Sequence, residues 1–350
     1  MARSIACLCR QVAQEVQLDP SIDETVFNLC HCNACRAATG LLFSSYYALH
    51  GSSPNLTGLR EYHQPDQVSR YFCNTCGTHV FAHNTSTRQY YVAAGVFTDH
   101  APPIRSIRHW RASDTKDGGL SVFLPGDTDD SSCLLQGFSR NQERDPSFKD
   151  DAQDSKPDDD RTPARCHCGG VEFYVTVPDK TSSDATSPWA DLLVPYHSGS
   201  SANPDDVKWW LCAGNTKYLA GTCACTSCRV GSGFPIQAWA FIPKSNLFNA
   251  DGSPLAFGVG TMQQYESSPE VYREFCNRCG ANVFWHCKER PLLVDVSVGL
   301  LRANSGVRAE GLLHWHRDRV SFAEMAQEQA LVQRLEAGLS SGGNREQYTS

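Results

Sequence analysis

Fourteen of the seventeen cysteines in this 350-residue chain stand in a pattern of seven that occurs twice. The first copy reads Cys7-x-Cys9, Cys30-His31-Cys32-x-x-Cys35 and Cys73-x-x-Cys76-Gly77. The second reads Cys166-x-Cys168-Gly169, Cys223-x-Cys225-x-x-Cys228 and Cys276-x-x-Cys279-Gly280. Thiolates at such short spacings grip metal, zinc above all. In Cys-x-x-Cys-Gly, two intervening residues let a tight turn aim both sulfurs at one ion, and the glycine supplies the backbone freedom that turn demands. Each such knuckle needs two more ligands, and the early Cys-x-Cys provides them. We therefore assign Cys7, Cys9, Cys73 and Cys76 to one structural zinc, and Cys166, Cys168, Cys276 and Cys279 to another. Folding of either domain without metal is expected to be poor.

Cys30, Cys32 and Cys35 are left over in the first copy, and Cys223, Cys225 and Cys228 in the second, which allows up to two zinc ions per domain. Three thiolates leave one coordination position open, as catalytic zinc does. Such a centre carries net charge −1 and is a weak Lewis acid, suited to a soft fourth ligand such as a substrate thiolate. The same three cysteines also fit a structural site whose fourth position a nearby residue fills. Cys133, Cys212 and Cys287 lie outside the pattern and are expected to be buried, inert thiols. Cys287, beside His286, is the nearest to a fourth-ligand candidate.

The elements that must position these thiols read as short strands. Val171–Val177, Leu42–Leu49, Gln237–Ile242, Gln89–Ala94 and Leu292–Val298 are rich in β-branched and aromatic residues, with Gly, Pro and Asn between them. The duplication extends beyond cysteine: residues 70–83 align without a gap on 273–286, Gly95 matches Gly299, and His109-Trp110 matches His314-Trp315. This is a whole domain present twice. The expected boundaries are 1–132 for the first domain and 164–320 for the second, each with its own core. Residues 133–163, with Asp145, Asp150, Asp151, Asp154, Asp158, Asp159 and Asp160, bury too little to offset their ordering entropy and read as an acidic, flexible linker. The second domain carries an insertion at about 178–219 that includes Trp189, Trp209 and Trp210; it reads equally as a surface excursion and as a lid shaping a substrate site. In 321–350, Ser321-Phe-Ala-Glu324 has the form of a capping box opening a helix, with Met325, Leu331, Val332 and Leu335 at near-helical spacing and Gly338 at its stop.

Composition narrows the function classes. Net charge is −7 and there is no Lys/Arg-rich stretch, so neither nucleic acid nor an anionic membrane is an expected partner. No apolar run approaches the roughly 18–20 residues of a membrane span. Met1–Cys7 lacks the apolar stretch of a signal peptide, so the expected compartment is the reducing cytoplasm, or the nucleus, where thiols bind metal rather than pair.

Together, Cys-x-Cys-Gly, Cys-His-Cys-x-x-Cys, Arg-x-Phe-Cys-x-x-Cys-Gly-x-x-Val-Phe and the late His-Trp resemble the glutathione-dependent formaldehyde-activating enzyme and centromere protein V domain family, over roughly 1–125 and 164–320. The resemblance implies a mainly β fold: two tandem Mss4-like β-tent zinc domains, followed here by a short C-terminal α-helix. It implies a structural four-cysteine site and a catalytic three-cysteine site in each. This chain departs from the family pattern at Arg10, where glycine is usual, and at Ala224, which stands where the first copy has His31. A residue between two bound cysteines points away from the ion, so His31 is expected at the surface or behind the ligands.

The leading functional expectation is a zinc-dependent carbon–sulfur lyase acting on thiol adducts of an aldehyde or other electrophile, with a small-molecule thiol such as glutathione as partner. Zinc replaces the thiol proton and keeps the sulfur nucleophilic at neutral pH. His83 and His286 are the candidate acid–base or hydrogen-bonding groups, with His109 and His314 as further repeated histidines that pack beside Trp110 and Trp315. Arg70 and Arg273 are candidates for binding a carboxylate or for a structural ion pair. The alternative is a non-catalytic zinc scaffold that binds a protein partner.

Overall fold

Each copy begins with an antiparallel hairpin whose turn carries the Cys-x-Cys. In the computed structural model, which describes residues 2–51, 53–64, 67–129, 133–135, 160–190 and 194–342, these hairpins are Ala2–Ala6 with Ala13–Gln17 and Arg161–Arg165 with Glu172–Thr176. The chain is mainly β, as its residue pattern requires. In the first copy an antiparallel sheet runs Tyr46–Ala48, Gln89–Ala93, His79–Asn84, Val68–Cys73, Leu59–His63. The second copy repeats that order with Gln237–Pro243, Leu293–Ser297, Asn282–Cys287, Val271–Cys276, Met262–Ser268. The strands expected from β-branched and aromatic runs all appear, each within a few residues of its expected limits.

A strand leading into the three-cysteine motif completes each unit. Val26–Cys30 pairs in parallel with Ser106–Trp110, and Lys217–Cys223 pairs in parallel with Leu313–Trp315. After each motif comes a short helix: α1 (Asn33–Thr39) and α2 (Thr226–Ser232). The middle cysteine caps each helix, the Cys32 sulfur accepting from the Cys35 amide and the Cys225 sulfur from the Cys228 amide, both at 3.3 Å. Gly40 and Gly233, at φ 80° and 87°, end the two helices in the left-handed conformation that glycine takes without strain.

The two copies share one core rather than holding two. Their buried residues form a continuous cluster from Ile5 to Leu339. Contacts across the seam come in matched pairs. The Gly95 amide donates to the Gly233 carbonyl at 2.8 Å, and the Gly299 amide to the Gly40 carbonyl at 3.0 Å. Arg60 donates to the Asn277 carbonyl, and Gln263 to the Asn74 carbonyl. A Cβ on Gly40 would overlap the Asn282 carbonyl, and one on Gly233 the His79 carbonyl. The repeat is thus a pseudo-twofold dimer in one chain, and small residues at the seam let backbone meet backbone.

The third helix, α3 (Gln329–Ser340), begins eight residues after Ser321. Ser321 bridges to Cys223 in a strand-like pairing, and Phe322 takes φ 55°, so the expected capping box is not used. Gly338 does not stop the helix. It sits inside α3, where a side chain would collide with the Phe123 carbonyl, so the last helix of the second copy packs on the first. Within the described residues no helix is long and apolar enough to cross a membrane. Cys133–Leu135 packs into the first copy, while residues 136–159 of the expected linker lie outside the described residues.

Candidate metal centres and an open cavity

The hairpin turns and the knuckles meet as the cysteine count requires. Cys7, Cys9, Cys73 and Cys76 bring their sulfurs within 4.8 Å of one another, as do Cys166, Cys168, Cys276 and Cys279. Nearest sulfurs are 3.5 and 3.6 Å apart in each cluster. Four sulfurs bonded at ~2.3 Å to a tetrahedral centre would stand ~3.8 Å apart, so these clusters fit an ion with little adjustment. None of the thiols is paired in a disulfide.

The three-cysteine motifs differ between the copies. In the first, Cys133 joins Cys30, Cys32 and Cys35 to make a closed set of four buried sulfurs. Its Sγ lies 3.3 Å from that of Cys30 and 3.5 Å from that of Cys32. The expectation that Cys133 is an inert thiol outside the pattern is therefore corrected, and so is the open position expected in this copy. Cys133 arrives on a segment that enters from the end of the first copy. Leu135 is fully buried, and its carbonyl accepts from Asn84 Nδ2 at 2.8 Å. Nothing in the repeated pattern signalled this, because Cys133 has no counterpart in the second copy.

In the second copy Cys223, Cys225 and Cys228 stand alone: among the described residues no further Cys, His, Asp or Glu completes the cluster. Hydrogen bonds from Cys223 and Cys228 hold the Cys225 thiol down at about 2, while contacts with Cys225 and Cys228 push Cys223 up. Crowded buried thiols share protons unevenly, and a cation that replaces those protons relieves the crowding. The three sulfurs line a cavity of about 450 Å³ together with Trp189, Trp239, Phe241, Trp285 and Phe322.

Aligning the copies shows why one space is open and the other filled. Trp239 faces Ser297, and Tyr46 faces Ala93, two residues before the matched glycines in each case. Trp239 thus replaces Tyr46, while Trp285 replaces Ala82 and Cys287 replaces Asn84. In the first copy Asn84 holds the Cys133–Leu135 segment through the Leu135 carbonyl, and the buried Arg70 is fully engaged with Gln64 (2.8 Å), Tyr46 (2.9 Å) and the Cys35 sulfur (3.1 Å). In the second, Arg273 reaches Ser227 Oγ at 3.1 Å and the Cys228 sulfur at 3.6 Å, and its Nε has no partner among the described residues.

The remaining expected residues fall around this frame. His286 lies on the opposite face of its strand from Trp285 and Cys287, bonded to Glu274 at 3.1 Å and stacked on Phe257, and does not line the cavity. His83 stacks on Tyr90 in the corresponding place. His31 is buried behind the ligands; its Nε2–H donates to His109 Nδ1 at 2.9 Å, and His109 Nε2–H donates to the Leu124 carbonyl at 2.7 Å. His314 is exposed. Cys287 lines the cavity but stands outside the sulfur cluster. Of the insertion's tryptophans, Trp209 and Trp210 are buried anchors, Trp209 meeting Phe241 edge-on, whereas Trp189 forms a cavity wall. Sequence reasoning missed Trp239, Trp285 and Arg290; the signal was the change to tryptophan at repeated positions where the first copy has tyrosine and alanine.

A family model described as Glutathione-dependent formaldehyde-activating enzyme matches residues 2–112 and 211–317. The second match begins at Leu211, inside the expected insertion, so Cys166 and Cys168 lie outside the match and are tied to the second copy by the fold. No curated protein and no solved structure matches the chain.

Proposed function

Because the chain belongs to the glutathione-dependent formaldehyde-activating enzyme family, we propose that it is a zinc-dependent carbon–sulfur lyase whose single reactive centre is Cys223, Cys225 and Cys228. The observation that carries this reading is the contrast between that cluster, open to a cavity of about 450 Å³, and its counterpart, closed by Cys133. The other three clusters would hold zinc structurally. Bound at the open cluster, zinc would supply a soft acceptor for a substrate sulfur and keep that sulfur as thiolate at neutral pH.

The chain's own residues orient and enclose the reactants. The substrate is a thiol adduct of a carbonyl compound, with glutathione the thiol that the family suggests. In the cleavage direction the adduct's hydroxyl loses its proton as the carbonyl forms. The carbon–sulfur bond breaks with its electron pair on sulfur, and the proton given up by the hydroxyl ends on that sulfur, so that aldehyde and thiol leave. Addition runs through the same steps in reverse. Arg273, beside Cys228, adds positive charge where thiolate charge gathers. The aromatic walls exclude water, which strengthens that attraction.

The test is thiol-dependent aldehyde consumption by the zinc-loaded chain, with glutathione and formaldehyde as first reactants. Cys223→Ser should lower turnover by about a hundredfold or more and zinc content from four to about three. Cys133→Ser should leave turnover within about twofold. Four bound zinc ions with no turnover of any thiol adduct would overturn the lyase reading and leave a zinc scaffold.

A further inference from the structure

The open cavity is built for more than a one-carbon group. At about 450 Å³ it lies in the range of sites that enclose drug-sized ligands. A formaldehyde unit fills about as much space as one or two waters, each ~30 Å³. Three of its walls are tryptophans, none matched by a tryptophan in the first copy. Trp239 replaces Tyr46, Trp285 replaces Ala82, and Trp189 comes from the insertion. Phe241 and Phe322 complete the apolar lining.

Polar side chains interrupt this lining, Arg273, Glu289, Arg290 and Asp295 among them, and Arg290 is the one set against two of the tryptophans. Arg290 is 1% exposed, with its guanidinium 4.8 Å from the ring centres of both Trp189 and Trp285. Its Nη2 donates to Asp295 Oδ1 at 2.5 Å. Its Nε and Nη1 have no hydrogen-bond partner among the described residues. A buried guanidinium with unspent donors is costly unless a ligand oxygen meets them. Asp295 already balances its charge, so a neutral carbonyl or phenol oxygen suits the place better than a carboxylate. Glu289, also at the cavity, is bonded to Trp189 Nε1 at 2.8 Å and fixes that wall.

We propose that the second-copy cavity selects thiol adducts whose carbon part is a planar aromatic group carrying an oxygen acceptor, with the sulfur at Cys223, Cys225 and Cys228, the ring among Trp189, Trp239 and Trp285, and the oxygen at Arg290. This inference rests on the lyase reading for its reaction but on the cavity alone for its selectivity. Binding therefore separates the two. The zinc-loaded chain is titrated with ethanethiol, phenylmethanethiol and 4-(sulfanylmethyl)benzamide, followed by tryptophan fluorescence and calorimetry. Phenylmethanethiol should bind about tenfold more tightly than ethanethiol, and the benzamide about tenfold more tightly again.

Trp285→Ala, which installs the residue that the first copy uses, should remove most of the aromatic preference with zinc content unchanged. Arg290→Met should remove only the gain given by the amide oxygen. Equal affinities for the three thiols, or a preference unchanged in Trp285→Ala, would overturn the inference. Turnover of formaldehyde adducts without aromatic preference would defeat it and leave the lyase reading standing; aromatic preference without turnover would do the reverse.

Discussion

The two copies share a sheet order, a seven-cysteine pattern and a matched seam, yet they treat the fourth position of one motif in opposite ways. In the first, Cys133 fills it and Leu134 packs against the sulfurs. In the second, the three sulfurs face a cavity walled by tryptophan. Duplication within one chain permits this division. Each copy presses its glycines and carbonyls into the other, so one copy can close its three-cysteine motif while its framework still supports the other copy. The closed cluster also serves as a reference for the open one, showing a cysteine sulfur held at the position that the second copy leaves open.

The comparison breaks most directly at Cys133. Cys133→Ala should convert the closed cluster into a second three-thiolate centre. We expect one of the four ions to become accessible to a competing chelator, with extraction at least about tenfold faster than in the parent chain. The unfolding free energy should fall by about 2–3 kcal/mol, since a ligand and a buried thiol are both removed. Extraction kinetics followed with a chromogenic chelator would check this. An unchanged extraction profile would mean that Cys133 does not close the site.

A second test concerns the seam, where His79 occupies the place of Asn282. His79 is fully buried, and its Nε2–H donates to the Gly280 carbonyl at 3.0 Å. Burial pushes its pKa down to about 3 from the usual 6.5. The unfolded chain therefore takes up a proton below about pH 6.5 that the folded chain refuses. The stability this group allows is fully present above pH 6.5 and is lost as pH falls from there toward 3. His79→Asn makes the two sides of the seam alike and should shrink the stability lost between pH 7 and pH 5 by about 1–2 kcal/mol. Denaturant unfolding of both chains at the two pH values gives the comparison. Parallel pH profiles would show that the histidine does not titrate in this window.

Much of this arrangement was legible in the residues, and what escaped did so for physical reasons. Strands were readable because β-branched and aromatic runs have few other uses. The four-cysteine clusters were readable because thiolate ligation of a metal ion requires such spacing. Cys133 was not, since its approach depends on tertiary packing of a segment outside the repeat. Ser321-Phe-Ala-Glu324 misled because a capping box is a local preference, and here pairing of Ser321 with Cys223 and placement of Phe322 at the cavity override it. The aromatic walls were half visible: Trp189 was legible only as part of an insertion that read equally as surface or lid.

The smallest test returns to a place where the copies differ by one residue and share a conformation. Arg10 follows Cys9 with φ 62°, and Gly169 follows Cys168 with φ 67°. The hairpin turn that aims both sulfurs at one ion thus requires left-handed backbone in each copy, and only the second supplies the residue that adopts it freely. A non-glycine residue held there costs roughly 1–2 kcal/mol, part of which glycine would return through the greater freedom of its unfolded chain. Arg10→Gly should therefore stabilise the first copy by a net ~0.5–1 kcal/mol while zinc content stays the same. Gly169→Arg should destabilise the second by a comparable amount or more, because a Cβ at Gly169 would press on the Arg165 guanidinium at 3.3 Å. Opposite signs for the two substitutions, measured by denaturant unfolding of the zinc-loaded chains, would establish that metal geometry rather than side-chain contact fixes this turn; the same sign in both would place the effect in the side chains instead.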